Sequence, residues 1–128
     1  MNPLWFVRIP FAITFAGHGA GKLLMPRASA DMLDLSLPMV LLVGVAEVLA
    51  GIGAIIGGFE RVPHRQLVDR LTGIAAVPVL LGAIFLVHWP RWSFVASESH
   101  PFGGMEFQVL LLGVALVLYA EGHRPGSA

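Results

Sequence analysis

The chain has 128 residues, enough for one domain, and its charges balance at 8 Lys+Arg against 8 Asp+Glu. Charged residues are only 12% of the chain and apolar residues 56%, with 15 glycines besides and a mean hydropathy of +0.79. Disorder is excluded, as is a basic nucleic-acid module, and so is a soluble domain of this size, which would leave too much apolar surface in water. With no cysteine there is no disulfide framework, no thiolate nucleophile and no Cys-based metal site. An integral membrane protein remains.

A bilayer-crossing helix needs about 20 mainly apolar residues. Four stretches qualify: 4–25, 38–59, 69–88 and 104–121. Their apolar residues come in runs, without the period-2 alternation of barrel strands. The expected fold is all-α: one membrane domain over 1–128, an up-down antiparallel four-helix bundle.

The first span holds His18 and Lys22, with Gly17 and Gly21 four apart as a stripe expected to pack against a neighbouring helix, and Pro26 ends it. Ala28-Ser29-Ala30 has the look of a signal-peptidase site. His18, Lys22 and Arg27 nevertheless make the segment a poor cleaved leader, and a retained helix is expected. Ser36 and Pro38 read as cap and first-turn proline of the second span. That span carries Ala46, Ala50, Ala54 and Gly58 at every fourth position, a stripe suited to close helix approach in lipid, and Glu47 within it. Gly57, Gly58 and Pro63 close it. The third span contains Pro78, where a kink is expected, and ends at His88. Pro90, Pro101, Gly103 and Gly104 bracket the following loop. Glu106 lies in the first turn of the fourth span.

Four spans put both termini on one side. Arg8, Arg61, Arg65, Arg70 and Arg124 fall on that side and Lys22, Arg27 and Arg91 on the other, so the charge rule favours cytoplasmic termini. Trp89 and Trp92 would belt the outer interface.

Ionisable groups within spans are costly and normally face the bundle interior. Counting helical rise from the outer boundary puts Glu47 about 13 Å deep, His18 about 10 Å, Lys22 about 5 Å and Glu106 about 3 Å, with His88 at the boundary. All five fall in the outer half, as a polar pocket ending near Glu47. The expected pairs are Glu47 with His18 and Lys22 with Glu106. Each residue also has a plain alternative: Glu106 complements the helix dipole, His88 sits at the interface, Lys22 snorkels.

Four segments resemble the DoxX family of small four-helix membrane proteins. His18-Gly19-Ala20-Gly21-Lys22-Leu23 resembles its H-G-x-x-K-L. Glu47-Val48-Leu49-Ala50-Gly51 resembles its E-x-x-G-G, with Ala50 in place of the first glycine. Val87-His88-Trp89-Pro90 resembles its V-H-x-P, and Gly103-Gly104-Met105-Glu106 its G-G-x-E. The resemblance implies a multi-pass protein of the bacterial cytoplasmic membrane, linked to quinone-dependent oxidoreductases or other membrane redox complexes. It carries over the same five positions.

A quinone-linked redox subunit would use His18 and Glu47 for proton exchange and Lys22 to stabilise negative charge, as its catalytic groups. His88 and Glu106 would complete the cofactor site towards outer water. The competing reading is a non-catalytic accessory subunit packed against a larger respiratory or photosynthetic complex, with the polar groups fixing helix register. A metal or haem is disfavoured: the Glu-x-x-His of di-iron bundles is missing, since Ala50 and Val109 stand three residues after Glu47 and Glu106. Transport is disfavoured by the lack of broken-helix pairs. The expected partners are the lipid bilayer and other membrane subunits or further copies of the chain, with no nucleic acid.

Overall fold

A computed structural model describes residues 2–125, and those residues form helices and no strands. Helix α1 spans Trp5–Leu24, α2 Pro26–Leu33, α3 Leu37–Ile56, α4 Arg65–Ala83 and α5 Glu106–Glu121, and α4 runs on as a π-helical turn, Ile84–His88. Two helical runs are long and apolar enough to cross a bilayer, Leu37–Ile56 and Arg65–His88. Helix α1 has similar length but carries Arg8, His18 and Lys22, and α5 is the shortest of the four long helices at 16 residues.

Helix α2 replaces an expected loop. Pro26 occupies its first turn, where its missing N–H costs nothing, and Asp34 closes it in a left-handed conformation (φ 52°). Helix α4 begins four residues before its apolar run, because Arg65 and Gln66 are good helix formers that a hydropathy count leaves out. Helical structure continues through Pro78 to Ala83, and the departure from α geometry falls at Ile84–His88. Ser36 takes the cap position of α3 without a side-chain hydrogen bond, and Pro38 lies in the first turn.

Helix α1 packs against α3, α3 against α4, and α4 against α5. The core between them is built from Phe11 and Phe15, whose rings stack at 4.3 Å, with Ala50, Ala54, Ala76, Leu80, Ala115 and Leu118. Ala50, Ala54, Ala76 and Ala115 are fully buried, so small side chains let the backbones close up. Helices α1 and α3 approach closely at Gly19, where an added Cβ would meet the Gly44 carbonyl at 2.6 Å, and at Gly51, where it would meet the Ala12 carbonyl and the Ala16 amide at 2.9 Å. Gly17 and Gly21, expected to pack, face outward with nothing within 4 Å; Gly19, between them in sequence, is the packed residue. Large apolar side chains such as Phe6, Ile13, Leu42, Ile74 and Leu110 are exposed on the outside of the helices.

One end of the molecule is tied by a buried ion pair that the polar-residue count did not single out. Arg8 donates from both terminal nitrogens to Asp69, at 2.7 and 2.8 Å, and from Nη1 to the Ala54 carbonyl at 2.9 Å. Trp5 lies against Gly58 at this end, and Arg70 donates to the Gly122 carbonyl at 2.6 Å. The start of α1, the α3–α4 connection and the end of α5 are therefore gathered together.

Candidate functional site

The other end is more open. Helices α3 and α4 touch closely where Gly53 faces Thr72 and Gly57 faces Asp69. Towards the loop that follows His88, a cavity of about 570 Å³ lies among α1, α3, α4 and α5. That volume is in the range of small-molecule sites. Phe15, Val43, Val79, Leu80, Val87 and Leu111 make its walls apolar, and Leu33, Leu35 and Phe102 bound it from α2, the α2–α3 link and the loop. The exposed side chains of Met39, Leu86 and Phe102 belong to the same wall, so its rim is apolar as well.

His18, Lys22, Glu47 and His88 all line this cavity, joined by Gln108. Glu106 does not. The pairing differs from the expected one. Lys22 binds both oxygens of Glu47 from its Nζ, at 2.8 and 3.0 Å. Side-chain direction explains the exchange. Helical side chains lean towards their own N-terminus. Lys22, near the end of α1, therefore reaches inward, while Glu47 on antiparallel α3 reaches back towards the loop end, and the two meet. The same lean carries His18 away from Glu47. Glu106, in the first turn of α5, leans out to the loop and accepts the Phe94 amide at 3.3 Å.

His88 is buried, at 7% exposure. Its Nδ1 lies 2.8 Å from the Gly103 carbonyl. A carbonyl can only accept, so Nδ1 carries the proton. Gly103 is placed for this by φ 79°, a conformation costly to other residues, and by its contact with the Phe94 backbone. The loop is further anchored by the amides of Gly104, Met105 and Glu106, which donate to the carbonyls of Ser93, Arg91 and Trp92 at 2.6, 2.7 and 2.8 Å. These bonds use N–H groups that the start of α5 would otherwise leave unpaired.

Among the described residues, no three His, Asp or Glu side chains gather as a metal-binding group. The polar groups of the cavity are a Lys–Glu ion pair, two imidazoles, an amide and the Thr14 hydroxyl in apolar surroundings. They suit a lipophilic ligand with a few hydrogen-bonding atoms better than a bare ion.

Bilayer-length apolar helices around such a cavity define a small helical membrane protein. The chain belongs to the DoxX family, whose sequence model matches residues 4–89. The matched part runs from the start of α1 past the π-helical turn and includes His18, Lys22, Glu47 and His88, while Glu106 lies beyond it. Neither a curated protein nor a solved structure matches the chain.

Proposed function

We propose that this chain is the ligand-holding membrane subunit of a redox complex of the quinone-linked oxidoreductase type. The four long helices cross the bacterial cytoplasmic membrane as an up-down bundle with both termini inside, and the cavity lies in the outer half. The observation that carries the reading is the cavity itself: apolar walls and rim, with Lys22, Glu47, His18 and His88 on one surface. A quinone fits this lining, having an apolar body for the walls and a carbonyl oxygen for the Lys22 ammonium. When bound it supplies two-electron, two-proton redox chemistry, with electrons exchanged through a partner subunit.

The chain's own residues would bind and manage protons. Lys22, fixed by Glu47, offers its ammonium to a ligand oxygen and stabilises negative charge there. His18, at the exposed side of the cavity wall, exchanges protons with its surroundings. His88 lies at the ligand's other end, and Glu106 secures the loop beside it rather than touching the ligand.

The test is equilibrium binding of a short-chain quinone to the purified chain in nanodiscs. Saturable binding is expected for the native chain, with loss in Ala83→Phe, which fills the cavity from its wall. Absence of saturable binding to the native chain would remove the reading.

A second reading, an accessory subunit docked on a larger complex, is favoured by one observation. Helix α1 turns Gly17 and Gly21 outward with open space over both, beside exposed Ile13 and Leu24. Co-purification of a partner in fixed ratio, lost in Gly17→Leu with the fold retained, would favour it.

A further inference from the structure

The cavity has a polarity of its own. His88 Nδ1 donates to the Gly103 carbonyl, so in the neutral imidazole Nε2 is a hydrogen-bond acceptor. Gln108, which lines the same cavity from α5, has a buried side-chain oxygen, Oε1, with no hydrogen-bond partner among the described residues. A buried acceptor left without a donor costs about 1–3 kcal/mol. Two open acceptors thus belong to residues lining one apolar cavity, and among the described residues none donates to Gln108 Oε1.

The geometry points to a hydroxyl-binding subsite formed by His88 Nε2 and Gln108 Oε1. Its ligand is a lipophilic phenol, of which the dihydroxy form of a quinone is the fitting example. The inference rests on the functional reading above and adds a preference: the cavity holds a ligand that donates hydrogen bonds at this wall more tightly than one that only accepts them. A dicarbonyl ligand would set acceptor against acceptor at His88 Nε2. Gly103 is the positioning residue, since its carbonyl fixes the imidazole tautomer.

The experiment compares three probes on the full chain in nanodiscs: an alkyl-substituted hydroquinone, its dimethyl ether, and the matching benzoquinone. The hydroquinone is expected to bind about tenfold tighter than the ether, the effect of one or two well-made hydrogen bonds. Gln108→Leu removes one acceptor and leaves no buried polar atom behind, so its fold should be unaffected. It is expected to lower hydroquinone affinity several-fold and leave the benzoquinone unchanged or tighter. His88→Phe should act in the same direction, and if it fails to fold, the native three-probe comparison and Gln108→Leu still decide. Equal binding of hydroquinone and ether to the native chain would overturn the subsite while leaving a quinone-type cavity standing. Failure of all three probes to bind would overturn the functional reading with it.

Discussion

Lys22 and Glu47 have side chains only 16% and 8% exposed, and neither charge is tolerable there alone. Removing one partner leaves the other buried and unpaired, which costs about 3–5 kcal/mol, whereas replacing both with apolar residues costs far less. Lys22→Met should therefore destabilise the fold by about 3 kcal/mol, and adding Glu47→Leu should recover most of that loss. Unfolding of the four variants in detergent measures the coupling; additive losses would mean the pair contributes nothing as a pair. Five of the ionisable residues inside the spans could be found in the sequence because the cost of burial attaches to each residue alone. Their partners could not, because depth counted along a helix axis ignores the lean of the side chain, and that lean joins Lys22 to Glu47. Asp69 escaped for a related reason: it sits at the edge of its apolar run, and only the fold shows Arg8 reaching it from α1.

At the scale of elements, close packing depends on which glycine faces a backbone. Ala in place of Gly in a helix is ordinarily favourable by up to about 1 kcal/mol. Gly17→Ala, with open space around it, should show that gain or no change. At Gly51 the new methyl would press on the Ala12 carbonyl and the Ala16 amide, which are backbone and cannot swing aside. Gly51→Ala should then destabilise by about 1–3 kcal/mol. Thermal unfolding of the pair in one detergent checks the sign; equal shifts would show that α1 and α3 do not depend on this contact. Gly103→Ala combines a strained φ with a clash against Phe94 and should cost a similar amount, while also loosening the His88 hydrogen bond. The long helices were legible because long apolar runs have few other folded uses. Helix α2 was not, being 8 residues of mixed polarity whose Ala-Ser-Ala centre reads equally well as a loop. The glycine spacing was equally ambiguous: Gly17 and Gly21 satisfy the packing motif, yet α1 turns the face of Gly19 to α3.

Across the whole molecule, each end has its own buried ion pair. Arg8–Asp69 ties the end where α1 begins and α5 finishes, and Lys22–Glu47 lies beside the cavity towards the loop end. Phe11, Phe15 and small side chains pack between them, while large apolar residues cover the outside. A surface of that kind is costly in water and favourable in lipid, so the two ends must meet water on opposite sides of the bilayer if the bundle crosses it. Because the chain has no native cysteine, single cysteines report on each end without background. Ser99, exposed in the loop at the cavity end, and Glu60, exposed between α3 and α4 at the Arg8–Asp69 end, are suitable positions. With termini inside, a membrane-impermeant maleimide should label Ser99→Cys in intact spheroplasts and label Glu60→Cys only after the membrane is opened. The reverse pattern would turn the cavity towards the cytoplasm and overrule the five-to-three charge bias of the sequence. Labelling of both in intact spheroplasts would mean that the bilayer does not separate the two ends, and the four-span arrangement would fall with it.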